Sequence, residues 1–158
     1  MDFSLFALFL IACGAAGATG GAFPPGAWYR SLEKPDWTPP DWVFPVAWTS
    51  IYLLISFAGA RAAVLDGNAY AMAFWAMQAA FSTLWTPVFF GLHRLRGALL
   101  VMIPLWLSVL GATVTMFKLD LWAGLAFVPY LVWVTVAAAL NADVARRNPD
   151  QKPRDLSA

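Results

Sequence analysis

Asp, Glu, Lys and Arg are absent from five stretches of the chain, 3–29, 42–60, 67–93, 97–117 and 121–142. Each stretch holds about 20 residues or more, enough for a helix rising about 1.5 Å per residue to cross a hydrocarbon core of about 30 Å. The apolar runs are continuous, with none of the alternation over about ten positions that marks a membrane strand. The pattern predicts an all-α membrane protein, a bundle of five transmembrane helices over about 3–23, 44–65, 69–90, 95–117 and 122–144. Everything between them is expected to be loop, and 145–158 a polar tail.

One domain, 1–158, is expected, because connections of about three or four residues leave no room for another and force neighbouring helices to run antiparallel, packed side by side. Small residues recur at helical spacing in the first helix (Gly14, Gly17, Gly21, Ala15, Ala18) and the third (Ala69, Ala73, Ala76, Ala80). Such faces let backbones approach closely in lipid and would serve either packing within the bundle or a homodimer. Pro87, Pro104 and Pro129 fall inside predicted helices, where each removes a backbone hydrogen bond and is expected to introduce a kink.

The exception to the short connections is 24–43, which contains Pro24, Pro25, Pro35, Pro39 and Pro40 together with Trp28, Trp37 and Trp42. Proline fixes φ and lowers the entropy lost on ordering, so a stiff cap over one end of the bundle is expected. Trp28 and Trp42, near helix ends, fit an interfacial aromatic belt as well as they fit a pocket. Trp37, between prolines in mid-loop, fits the cap or pocket better.

Composition strengthens the membrane reading. With 61% hydrophobic and 12% charged residues and a mean hydropathy of +0.65, the chain is too apolar to cover a water-facing surface at 158 residues. Five crossings would leave only Arg61 and Lys118 on the side of the N-terminus. Arg30, Lys34, Arg94, Arg96, Arg146, Arg147, Lys152 and Arg154 would lie on the other. The positive-inside rule then predicts the N-terminus outside and the C-terminus inside. A net charge of +1 gives no reason to expect nucleic acid.

The single cysteine, Cys13, excludes an internal disulfide or a cysteine-rich metal site and reads as a small packing residue. The run Leu10, Ile11, Ala12, Cys13 has the look of a lipoprotein processing site. However, Asp2 and the lack of a basic start argue against it, and the first helix is expected to be retained as a span rather than cleaved.

No catalytic constellation stands out, so no catalytic residue is assigned and no metal is expected. His93, the only histidine, sits beside Arg94 and Arg96 and reads as a solvated or headgroup-facing residue. What recurs is aromatic and weakly polar side chains on shared helical faces: Trp48, Tyr52 and Ile55; Gln78, Ser82 and Trp85; Tyr130, Trp133, Ala137 and Asn141. Amides in hydrocarbon must find partners, so the faces bearing Gln78 and Asn141 should turn inward. Together these faces would line a flat-walled, mostly apolar slot suited to a planar ligand, or else interlock as a solid aromatic core.

The residues Trp28, Tyr29, Leu32, Lys34, Pro35, Trp37, Pro39, Pro40, Trp42, Phe44, Pro45, Trp48 and Tyr52, followed by Gln78, Trp85, Thr86, Pro87, Phe89, Phe90 and Gly91 and then Pro129, Tyr130, Trp133, Leu140 and Asn141, carry a resemblance. The pattern resembles the tryptophan-rich sensory protein and translocator protein family (TspO/MBR), also called peripheral-type benzodiazepine receptors. The resemblance implies a five-helix bundle, usually a homodimer, with a pocket under the first loop for porphyrins, haem-related tetrapyrroles and synthetic isoquinoline or benzodiazepine ligands. It implies a receptor or carrier that regulates tetrapyrrole level or oxidative-stress signalling. Alternatives are a light-dependent porphyrin-degrading enzyme, as some bacterial members resemble, or a lipid or sterol transporter. No cofactor is required, a porphyrin such as protoporphyrin IX or a haem-like molecule being the ligand. Two departures stand out. The sterol-binding pattern of mitochondrial members lacks its tyrosine here, where Leu140, Asn141 and Ala142 run on to Arg146, and Ser82 stands where many members carry asparagine.

On this reading Trp48, Tyr52, Gln78, Ser82, Trp85, Tyr130, Trp133, Ala137 and Asn141 line the site and Trp28, Trp37 and Trp42 cover it. Arg30 or Lys34 would meet ligand carboxylates at the rim.

Overall fold

The computed structural model describes residues 2–155. Among them are six α-helices and one π-helical segment, and no strand: α1 (Phe3–Ala22), α2 (Ala27–Ser31), α3 (Val43–Ala62), α4 (Ala69–Thr86), the π segment Pro87–Gly91, α5 (Leu95–Leu119) and α6 (Leu121–Arg147). The predicted helix ends lie within about three residues of these. Three expectations are nevertheless corrected. The first loop contains the short helix α2, a single residue (Asp120) separates α5 from α6, and the polar tail begins after Arg147; its residues 156–158 lie outside the described residues.

Four helices, α1, α3, α5 and α6, are long and apolar enough to cross a membrane. The third predicted span falls short of that measure by composition, since Gln78, Ser82 and Thr83 with Trp75 and Trp85 dilute the apolar character of the 18 residues of α4. It carries no charge. Pro87 has no N–H to continue the α ladder, and the winding loosens there: Leu92 N–H reaches back to the Pro87 carbonyl at 2.8 Å. At Pro104 and Pro129, by contrast, α5 and α6 continue unbroken as α-helix.

The helices do not pack in chain order. α1 packs on α3 and α4, α3 on α6, α6 on α5 and α5 on α4, so the contacts close a ring in which α1 stands between the consecutive helices α3 and α4. Side-by-side packing of all neighbours was expected. The connection 63–68 is long enough for the departure, because its residues can span about 3.3 Å each, well beyond the 8–10 Å between touching helices. Gly67 turns the chain with φ +77°, and Asn68 Nδ2 donates to the Ala62 and Ala63 carbonyls at 3.2 and 2.8 Å.

Aromatic rings lying on glycines hold α1 against α3. Phe9 of α1 covers Gly59, and Tyr52 of α3 covers Gly17, so a Cβ at either glycine would stand 2.8–2.9 Å from a ring carbon. Gly14 and Gly21, from the same small-residue set, meet nothing within 4 Å. Phe9 also meets Trp75 edge to face at 4.6 Å, and the Trp75 indole N–H donates to the Ile55 carbonyl at 3.0 Å, joining α4 to the pair.

The two ends of the ring are tied differently. At one, Arg61 grips Asp120 with two hydrogen bonds of 2.8 and 2.6 Å, while Asp120 also accepts from Ala123 N–H and so starts α6. The Arg61 guanidinium beside it pulls the Asp120 carboxyl down to about 2. At the other end, Asn148 pairs with the Glu33 backbone, accepting from its N–H at 3.0 Å and donating to its carbonyl at 2.9 Å, and thereby fastens the first loop to the end of α6. Leu32 and Pro35 of that loop are buried.

Candidate ligand-binding site

Beneath the first loop lies a cavity of about 400 Å³, walled by α3, α4 with its π segment, α5 and α6. Its aromatic walls are Tyr29 from α2, Phe44 and Trp48 from α3, Trp85, Phe89 and Phe90 from α4 and the π segment, and Trp133 from α6. Trp85 stacks on Phe89 at 5.0 Å, while Phe44 meets Trp133 edge to face at 5.6 Å. The π segment matters to this wall, because an extra residue in the turn places Phe89 and Phe90 in edge-to-face contact at 4.7 Å with both rings bordering the cavity. Met102, Leu105, Val134, Leu140 and Val144 complete an apolar lining.

Polar groups are few. Trp85 donates its indole N–H to Asn141 Oδ1 at 3.2 Å, and Asn141 Nδ2 donates to the Leu95 carbonyl at 3.1 Å, so of the two amides expected to need partners in hydrocarbon Asn141 has them, whereas the buried Gln78 Nε2 has none among the described residues. Ser82 and Thr86 add hydroxyls on the α4 side, and Asp41 and Tyr29 stand on the loop side. Burial, and secondarily the Asp41 carboxylate, push the Tyr29 phenol above its usual range, keeping it a hydrogen-bond donor at neutral pH. No histidine or cysteine is among the described residues lining the cavity.

Six of the sequence candidates come together on this wall: Trp48, Ser82, Trp85, Trp133, Ala137 and Asn141. Three others, Tyr52, Gln78 and Tyr130, do not line it. Each lies one turn deeper than a lining residue on the same helix (Trp48, Ser82 and Trp133), towards the end tied by Arg61 and Asp120. Tyr130 and Gln78 are buried there, Tyr130 edge to face with Trp48 at 5.9 Å, and Tyr52 lies against Gly17. The interior is thus hollow near the first loop and solid further in.

The covering and rim candidates also fall outside the wall. Trp37 and Trp42 are 49% and 67% exposed, and Arg30 is exposed. Lys34 lies over the Tyr29 ring, 4.6 Å from its centroid, and donates to the Leu32 carbonyl at 3.3 Å. Trp28 does not line the cavity; it meets the wall residue Phe89 edge to face at 5.8 Å and stacks on His93 at 3.9 Å. Tyr29, its neighbour on α2, takes the cavity position because adjacent helical residues point about 100° apart. The residue identities themselves flagged Tyr29, Phe44, Pro45, Phe89 and Phe90 as part of the resemblance, but periodicity gave no reason to place them in the lining.

The sequence model of the TspO/MBR family matches residues 7–147. The chain belongs to that family. TspO/MBR relatives include protein CrtK of Rhodobacter capsulatus, 54% identical over 160 residues that cover 99% of this chain and all of the relative. The tryptophan-rich sensory protein of Cereibacter sphaeroides is 53% identical over 148 residues, 94% of each chain. The human translocator protein is 26% identical over 126 residues, 77% of this chain and 75% of the relative. TspO/MBR membership and four helices able to cross a bilayer make this an integral membrane protein.

Proposed function

We propose that the protein is a membrane receptor or carrier for porphyrins and related tetrapyrroles, acting on tetrapyrrole level or oxidative-stress signalling. The observation that carries this reading is the cavity. Its volume lies within the usual range of about 300–1,000 Å³ for small-molecule sites, and its walls are aromatic on several sides. A planar macrocycle gains about 0.5–1.5 kcal/mol per ring contact beyond area burial from such walls. Its polar edge would meet the Tyr29 phenol and the Ser82 and Thr86 hydroxyls. The names of the relatives, sensory protein and translocator protein, accord with a receptor or carrier.

In this reading α4 is a fifth crossing. It is free of charge and packs against both α1 and α5, and the π segment carries its axis onward to Gly91. Five crossings leave the N-terminus outside and the C-terminus inside by the distribution of basic residues. The exposed face of Ala69, Ala73, Ala76 and Ala80 on α4 is the surface through which two copies pair.

Titration of protoporphyrin IX into the protein in nanodiscs, followed by tryptophan fluorescence, tests the proposal. Saturable quenching that weakens about tenfold in Trp133→Ala is expected, a loss of about 1.4 kcal/mol. Unchanged affinity in that variant would remove the assignment.

A further inference from the structure

The first loop, the π segment and the tail border a second, open hollow of about 300 Å³, which shares Phe90 with the cavity above and whose reading does not rest on the porphyrin. Phe23 and Phe90 form its apolar part. Phe23 lies on Gly91, where a Cβ would stand 2.8 Å from the ring, and this contact brings the start of the loop down beside the π segment.

The polar part consists of three nitrogen-bearing side chains, Trp28, His93 and Arg154. The Trp28 indole nitrogen is buried and has no hydrogen-bond partner. His93 lies flat on the same indole, centroids 3.9 Å apart and planes within 7°, and it is held there by a left-handed backbone, φ 55°. That conformation is uncommon outside glycine and is retained where the surroundings enforce it.

Arg154 reaches the hollow because the tail folds back, its N–H donating to the Leu92 carbonyl at 2.9 Å. Its charge is close enough to add to burial in lowering the proton affinity of His93. No Asp or Glu is among the described residues lining the hollow; Asp155, next in the chain, is not part of the lining. A guanidinium and an imidazole on one lining, beside two phenyl rings, fit an anion that carries an apolar body.

We propose that this hollow is a phosphate-anion site, taking the headgroup phosphate of an anionic phospholipid with His93 and Arg154 as its donors and the Trp28 ring as the wall on which His93 stacks. The surroundings favour a lipid over a soluble source. The loop is rich in tryptophan and proline, as at a membrane interface, and the same end of the molecule carries eight Lys and Arg against six Asp and Glu, a small excess of positive charge that draws anionic lipid. The glycerol and first methylenes of the lipid lie on Phe23 and Phe90.

His93 is the only histidine, so its ring resonances are unambiguous in NMR spectra, and the indole N–H of Trp28 is identified by its loss in Trp28→Phe. The protein is placed in phosphatidylcholine nanodiscs, and phosphatidylglycerol is raised stepwise; in a parallel arm inorganic phosphate is added to pure phosphatidylcholine discs. Saturable movement of both signals with phosphatidylglycerol, weakened about tenfold in Arg154→Gln, is expected from the loss of one charge-assisted partner. Arg154 is exposed, so this variant leaves the packed interior intact. Saturation by inorganic phosphate alone would uphold the phosphate site and make its source soluble. Signals that drift in proportion to lipid charge, equally in Arg154→Gln, would reduce the effect to surface potential and overturn the proposal. Signals that move in neither arm would overturn it also.

Discussion

Trp85 on α4 and Asn141 on α6 are joined by a 3.2 Å hydrogen bond, and the same amide reaches the Leu95 carbonyl on α5, so one side chain ties three helices at the cavity wall. Asn141→Ala removes both bonds and leaves an indole N–H and a carbonyl facing an apolar space. A loss of about 1–2 kcal/mol is expected, since hydrogen bonds between membrane helices average about 0.6 kcal/mol each and unpaired buried groups add to the cost. Thermal unfolding in detergent checks this, and an unaltered midpoint would show that the three helices hold together without the amide.

The Arg61 and Asp120 pair sets an acid limit on stability. The folded carboxyl titrates at about 2, below its ordinary 3.8, so the stabilisation is complete above about pH 4 and is lost as pH falls from there towards 2. The side chains are 32% and 18% exposed, and solvent screening holds the worth of the pair to about 1 kcal/mol. Asp120→Asn keeps an N-cap while removing the charge. Its unfolding temperature should fall less than that of the parent between pH 4.5 and 2.5, and parallel curves would contradict the role given to the pair.

The ring-on-glycine contacts predict a contrast within one helix. Gly17→Val places bulk against Tyr52 and should cost about 1–3 kcal/mol by overpacking, whereas Gly14→Val meets open space and should be nearly neutral. Thermal midpoints of the two variants measured side by side decide the matter; equal losses would mean that helix propensity, not the contact with Tyr52, governs the site.

Much of this was legible in the chain, for a physical reason. A charge in hydrocarbon is costly, so the charge-free runs mark where helices lie, although the run 3–29 extends beyond the end of α1 at Ala22 and α6 extends beyond its run to Arg147. Helix order around the ring was not legible, because small residues such as Gly17 and Gly59 announce a close approach without naming the ring that makes it. The depth of the cavity was hidden similarly. Gln78, Ser82 and Trp85 share one helical face, yet the hollow begins only at Ser82, where Phe44 and Trp133 hold the walls apart and the core below is filled by Tyr130. Proline predicts a stiff loop at Trp37 and Trp42 but gives no direction to their rings, and both point outward.

The Asn148 clasp predicts how the first loop opens. With both backbone groups of Glu33 engaged, its amide should exchange slowly, and Asn148→Ala should bring it to the rate of an open loop. Hydrogen exchange read by mass spectrometry over 30–36 tests this; unchanged protection would place the restraint elsewhere, in the burial of Leu32 and Pro35.

The claim that a flat ligand occupies the hollow under the first loop is tested most directly by filling it. Ala137 borders the cavity on α6, and Ala137→Trp puts an indole into that space while leaving the deeper, solid part of the interior untouched. Equilibrium titration of protoporphyrin IX against parent and variant, both checked for intact folding by thermal unfolding, should show saturable binding in the parent and a loss of more than about tenfold in the variant. Equal affinity in a folded Ala137→Trp protein would place the pigment outside this cavity and contradict the account.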